Sequence, residues 1–255
     1  MIKIRNLCKS FDSRVVLDNV SFDVTAGETL VIIGSSGTGK SVLLKNIVGL
    51  IKPTSGSVII EGTDITRCSK SQLHNAQKKM GYVFQEAALF DSLTIAENVA
   101  FGLHNLTSLS ESEIDARVHN CLDMVGLKGI DTRLKPSSIS GGMKKRVGIA
   151  RAIAYQPSIL FYDEPTTGLD PIMTDVISDL IIGLREKVNV TSIVVTHDMK
   201  SAFKTADRII MLYKGKIIFE GTSQETKDTD NAYVRQFVEG SGIGPIETER
   251  VFTKI

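Results

Sequence analysis

The stretch "ETLVIIGSSGTGKSVLLKNIVGL", Glu28 to Leu50, runs from an apolar segment through a glycine-rich loop into apolar residues at helical spacing. Strand, loop and helix in that order are the context that the Gly-x4-Gly-Lys-Ser pattern of Gly34, Gly39, Lys40 and Ser41 requires of a phosphate-binding loop. Glycines let successive backbone N–H groups converge on phosphate oxygens, and the helix start adds partial positive charge. Gly34, Ser35, Ser36, Gly37, Thr38, Gly39 and Val42 are therefore expected to wrap a triphosphate. Lys40 would bridge its β and γ phosphates, and the Ser41 hydroxyl would ligate Mg²⁺. The alternative, a plain Gly/Ser turn, leaves the flanking strand and helix unexplained.

Working outward, "SILFYDEP" and "TSIVVTHD" are two more short apolar runs, each followed by a helix-compatible segment. Such alternation predicts an α/β fold around a buried parallel sheet. "IKIRNLCKSF", "VVLDNVSFDV" and "GSVIIEG" alternate more regularly and suggest an antiparallel sheet at one side. Between about residues 86 and 156 the strand signal disappears, which predicts a helical subdomain inserted in the core. There Ser110 and Glu113 have capping-box spacing, and Ile114, Val118, Leu122 and Val125 form an apolar stripe that Gly126 ends. Asp170 and Pro171 open a second helix as N-cap and N1, with Ile172, Val176, Ile177, Leu180, Leu184 and Val188 expected along one face. After about Gly240 the chain reads as an irregular tail, so the organisation is 1–240 as the folded domain and 241–255 as tail.

The end of "ILFYDEP" supplies the second metal-side group, Asp163, whose carboxylate would hold Mg²⁺ through water. Glu164, next along, is placed to orient and deprotonate an attacking water. A solvated acidic turn would be the plain reading of that tripeptide alone.

Composition narrows the partners. The 255 residues include 30 Lys and Arg against 29 Asp and Glu, so no global charge draws the chain to nucleic acid or an anionic membrane. Cys8, Cys68 and Cys121 lie far apart without neighbouring His, which argues against a disulfide framework and a zinc site. No signal or transit peptide is visible, and no apolar run nears the roughly 18 residues of a spanning helix.

A second glycine pair needs its own explanation. "SISGGMKKR" offers Ser140, Gly141 and Gly142 before a helix start with Lys144, Lys145 and Arg146 in its first turns, an arrangement suited to an anion. One triphosphate already held by the first loop has only its γ side open. The second loop is useful if it closes over that side from another copy of the chain across a two-fold axis. In isolation the stretch would read as a hinge before a helix with a solvated basic face.

Gly34–Ser41, Gln85 in "YVFQ", "SISGGM", "ILFYDEP", "TTGLD" and "VVTHD" occur in the order and approximate spacing of the ATP-binding cassette (ABC) ATPases, which the chain resembles from about Ile2 to Gly240. The resemblance implies a P-loop NTPase core of ABC type that binds ATP with Mg²⁺ and works as a homodimer. It further implies that Phe11 stacks on adenine and that Gln85 joins the metal shell. Asp170 would lie on the dimer interface, and His197 would contact the γ-phosphate, so that Glu164, His197 and Lys40 are the catalytic candidates. Taken singly, these residues read as a core aromatic, a strand end, a helix cap and a loop histidine. Met143 departs from the family's usual Gln, and Phe11 from the commoner Tyr.

"QEAALFDSLTIAENVAFGL", "DEPTTGLDPI" and above all "YVRQFVEGSGIGPI" are similar to the ATPases of Mla/Mce-type bacterial phospholipid transporters. That likeness implies a peripheral protein on the cytoplasmic face of the inner membrane, partnered by an integral permease and an Mce-type lipid-binding protein, with no nucleic acid. It also implies a tail that reaches the second ATPase copy. The competing expectation is the ATPase of a polar amino-acid importer. Less favoured are a non-transport ABC protein, for which the coiled-coil insertion, zinc cysteines or second cassette are missing, and a non-hydrolysing regulatory module.

Overall fold

The structure, a computed structural model, describes residues 1–247. Its centre is a sheet in the order β10-β9-β3-β8-β7-β6, built from β3 (Thr29–Ile33), β6 (Met80–Val83), β7 (Ile159–Asp163), β8 (Thr191–Val195), β9 (Arg208–Tyr213) and β10 (Lys216–Gly221). Neighbours run parallel from β6 to β9, and only edge strand β10 is antiparallel. β3 thus lies between β8 and β9, with Thr29 opposite Ser192 and Leu30 opposite Arg208. Alternate residues of β3 feed two cores. Val31 and Ile33 face one with Leu160, Tyr162 and Val194, while Leu30 and Ile32 face the other with Phe161, Ile193 and Val195. Burial on both faces is why these strands read as unbroken apolar runs.

The second sheet, β2-β1-β4-β5, is antiparallel as expected, with β1 (Ile2–Phe11), β2 (Arg14–Val24), β4 (Ser55–Ile60) and β5 (Thr63–Asp64). It covers the core that holds Leu30 and Ile32, together with α1 (Lys40–Ile47). A short α2 (Lys70–Gln77) follows. The opposite core is closed by α3 (Ile95–Leu106), α4 (Glu111–Met124) and α5 (Gly141–Ile153), which carry the helical stretch, and by α6 (Pro171–Val188). The Glu113 carboxylate accepts from the Ser110 backbone N–H at 2.8 Å, and Gly126 leaves α4 with φ +73°. Ile114, Val118, Leu122 and Val125 are buried as the spacing predicts.

The stripe expected on α6 needs correction. Ile177 and Leu184 are buried, but Ile172 (77% exposed), Val176 and Val188 face outward and Leu180 is half-buried. The buried face is shared with polar residues: Thr174 and Ser178 point inward, and the Ser178 hydroxyl meets that of Ser201 at 2.9 Å. A count of apolar residues alone could not see that a hydroxyl pair satisfied across α6 and α7 (Met199–Thr205) takes core positions.

After α8 (Ser223–Asp228) and α9 (Ala232–Glu239), the chain turns back at Gly240. The Gln236 side chain accepts from Ile246 N–H at 2.6 Å and donates to its carbonyl at 3.2 Å, which seats Ile246 in the core. Lys214 pairs with Glu247 at 3.0 Å. The first part of the tail is therefore anchored on its own chain. Residues 248–255, the rest of the expected tail, lie outside the described residues. No helix among the described residues is long and apolar enough to cross a membrane.

Candidate active site

The parallel strands deliver their functional residues at their C-terminal ends, where open α/β sheets bind ligands. β3 ends at Ile33 and gives way to the Gly34–Gly39 loop; at Gly34 an added Cβ would sit 2.3 Å from the Leu212 carbonyl oxygen. Only glycine lets the backbone turn that close to β9. Lys40 opens α1, is almost fully buried, and donates from Nζ to the carbonyls of Gly34 (2.7 Å) and Ser35 (3.1 Å). The same Nζ lies 3.6 Å from Glu164 Oε1. Burial pulls the Lys40 ammonium below the usual lysine value, and the charges of Glu164 and Asp163 oppose that pull.

Ser41 Oγ donates to Asp163 Oδ1 at 2.9 Å, joining α1 to the end of β7, and the Tyr82 hydroxyl of β6 donates to Oδ2 at 2.9 Å. Burial first, and the adjacent Asp163 charge second, push the Tyr82 phenol far above its ordinary pKa, so it is a permanent donor here. A hydroxyl and a carboxylate this close form a hard oxygen donor pair, which suits Mg²⁺.

Glu164 follows the strand with φ +50°, a left-handed bend that an ordinary side chain adopts at a cost of about 1–2 kcal/mol. Its N–H is tied to Val195 O at 2.9 Å, so the bend is held by β8. The carboxylate is nearly buried: Oε2 meets His197 Nδ1 at 2.8 Å and accepts from Thr167 Oγ1 at 3.2 Å. A carboxylate held by a lysine, a histidine and a hydroxyl, with one edge toward the loop, has the geometry of an oriented general base.

Five expected residues, Lys40, Ser41, Asp163, Glu164 and His197, thus form one connected group. Gly34 and Ser35 join it through their carbonyls, whereas Phe11, Gln85, Asp170 and Ser140–Gly142 share no direct hydrogen bond or ion pair with it among the described residues. Phe11 ends β1, is 44% exposed, and has the Lys9 ammonium 4.8 Å from its ring centre. Gln85 is exposed in the turn after β6, and Asp170 caps α6 by accepting from the N–H groups of Ile172 (2.9 Å) and Met173 (3.0 Å). Ser140 caps α5 by accepting from Met143 N–H at 3.3 Å, and Gly141 stands in open space. No hydrogen bond or ion pair among the described residues joins Ser140–Gly142 to Gly34–Ser41.

The basic turn after the second glycine pair differs from the sequence expectation. Lys145 is buried, and Arg146, half-buried, donates to the Gly126 carbonyl at 3.0 Å, so the two are tied to backbone and do not form one solvated basic cluster. Sequence reasoning also passed over Tyr82 and Thr167. Thr167 carried a faint signal, a hydroxyl three residues beyond Glu164. Tyr82 carried none, because its value depends on β6 pairing with β7.

A phosphate loop at the centre of a parallel sheet, an Asp-Glu pair one strand removed and a histidine at the end of the strand between them define a nucleoside-triphosphate hydrolase core. Residues 17–167 match the family model described as ABC transporter, and the chain belongs to that family as an ATP-hydrolysing cassette of a transporter. It is 41% identical to the intermembrane phospholipid transport system ATP-binding protein MlaF of Haemophilus influenzae, over 96% of this chain and 93% of that one. It is also 42% identical to the probable ribonucleotide transport ATP-binding protein mkl of Mycobacterium leprae, over 96% of this chain and 70% of the other. Among solved structures it is similar to a dimeric ATP-binding cassette in a post-hydrolysis state bound to ADP and phosphate, with a TM-score of 0.82, 35% identity, and coverage of 88% of this chain and 99% of that one.

Proposed function

We propose that this chain hydrolyses Mg-ATP between two copies of itself to drive phospholipid transport between bacterial membranes, from the cytoplasmic face of the inner membrane. The observation that carries the catalytic part is the Lys40–Glu164–His197 group beside Ser41 and Asp163. Lys40 exchanges its carbonyl partners for β and γ phosphate oxygens. Ser41, Asp163 and Gln85 would hold Mg²⁺, which would supply charge neutralisation to the phosphates. Glu164 takes a proton from the attacking water, and His197, anchored on Oε2, orients that carboxylate and faces the γ-phosphate. Phe11 offers its exposed face to adenine.

The unit that does this work is residues 1–240, with 241–255 as an appended tail. Ser140, Gly141 and Gly142 close on the nucleotide of the other copy, and Asp170 lies at that junction. Support comes from the exposed, self-capped start of α5 and from the dimeric cassette that the chain resembles. A groove of about 420 Å³ between β6 and the helical insert, lined by Tyr82, Phe84, Phe90, Phe101, Arg151 and Tyr155, is suited to a short permease helix. Phospholipid cargo and an Mce-type partner rest on the likeness to MlaF, whereas the mkl relative is named for ribonucleotides. The chain purified from its native membrane should bring a permease, a lipid-binding protein and bound phospholipid. ATP turnover stimulated by a ribonucleotide or a polar amino acid, with no lipid bound, would overturn the cargo assignment.

A further inference from the structure

α5 presents Lys145, Gly148 and Arg151 at intervals of three, which puts them along one side of the helix. All three meet the turn that carries Gln85. Lys145 Nζ, only 8% exposed as a residue, donates to the Gln85 carbonyl at 2.9 Å; Gly148 lies so close to Ala87 that a Cβ there would be 3.3 Å from the Ala87 methyl. Arg151 donates from Nη2 to Ala87 O and from Nη1 to Ala88 O, both at 2.6 Å. The turn requires such support because Ala87 and Ala88 both have left-handed backbones, φ 60° and 46°.

Lys145 makes a second contact that Arg151 does not. Its Nζ also donates to the Thr167 carbonyl at 2.8 Å. Thr167 in turn donates its hydroxyl to Glu164 Oε2, and its N–H is bonded to the Glu164 carbonyl at 3.3 Å. One ammonium therefore spans the Gln85 turn and the Glu164 turn, five residues along the helix that Ser140 caps. Burial lowers the Lys145 pKa, and the charges of Glu86 and Glu164 oppose this.

We propose that Lys145 is a positioning residue for hydrolysis: it locks the start of α5 to the Gln85 and Glu164 turns, so that engagement of Ser140–Gly142 by the partner copy's nucleotide sets Gln85 and Glu164 around the chain's own. The inference rests on the proposed reading of the site. It assigns a function to a lysine that the phosphate chemistry itself does not use. A neutral side chain of similar length would leave two carbonyls without their shared donor and free the two turns to move independently.

The test uses the full chain in its native membrane complex, with ATP turnover and nucleotide affinity measured for Lys145→Met, Lys145→Arg, Gln85→Ala and the Lys145→Met/Gln85→Ala pair. Lys145→Met should lower kcat at least tenfold with KM and ATP affinity within about threefold of the parent, and Lys145→Arg should restore at least half of the loss on a logarithmic scale. Combined with Gln85→Ala, the methionine should give less than the full product of the two single losses, because the two share the Gln85 turn while Lys145 alone also serves the Glu164 turn. A kcat within twofold of the parent in Lys145→Met, a loss carried by KM, no recovery in Lys145→Arg, or multiplying losses in the pair each overturns the proposal. Should Lys145→Met not fold, Lys145→Leu, which likewise removes the donor, is read by the same criteria. Glu164→Gln runs alongside: normal turnover there rejects the reading of the site itself, whatever Lys145 does.

Discussion

The two glycine loops differ in how much of their surroundings the chain itself provides. Gly34–Ser41 is enclosed at its two ends, with Ser36 and Gly37 exposed between them: Gly34 is pressed against Leu212, Lys40 is buried, and Ser41 is bonded to Asp163. Ser140–Gly142 is open: Gly141 has nothing within 4 Å of its Cβ position, and Ser140 is bonded only within its own helix cap. One loop is finished by folding, the other by assembly. A mutation in the first should therefore register in the isolated chain, and one in the second only when two copies meet.

The largest effect expected on the enclosed side is that of Glu164→Gln, which should keep ATP binding and slow hydrolysis by roughly 10²–10⁴, the usual cost of losing a positioned base. Lys40→Ala should weaken ATP binding about 10- to 100-fold, equivalent to about 1.5–3 kcal/mol for a charged hydrogen bond, as read by equilibrium titration of the single chain. Undiminished affinity would remove Lys40 from the phosphates.

A matched pair of glycine substitutions sharpens the contrast. Gly34→Ala forces a methyl against the Leu212 carbonyl and should cost about 1–3 kcal/mol in denaturant unfolding. Gly141→Ala adds a methyl to open space at a helix start and should leave stability unchanged or raise it by up to about 1 kcal/mol, yet lower ATP turnover in the dimer. Equal destabilisation by both would break the comparison. The smallest effect is expected at Ile172, 77% exposed beside Asp170: Ile172→Ser should shift unfolding by no more than about 0.5 kcal/mol while weakening ATP-dependent dimer formation in sedimentation.

What could be read in advance follows the same division. The strand–loop–helix at Glu28–Leu50, Asp163 at a strand end and the Asp170–Pro171 helix start are local patterns, and each is found where its neighbours in sequence imply. β6 shows in the sequence only as the strand end at Gln85, because four residues are too few to show a period. Lys145 was misread because a run of lysine and arginine after two glycines looks solvated, and only the packing of α5 on the Gln85 turn makes its middle member a buried strut. The α6 stripe was overdrawn at Ile172 and Val176, where the apolar side chains face away from their own core.

One consequence concerns the order in which things arrive. Both oxygens of Asp163 already accept hydrogen bonds, from Ser41 and from Tyr82. Asp163 is therefore aimed before any ligand arrives, its orientation set by the fold rather than by the group it would hold.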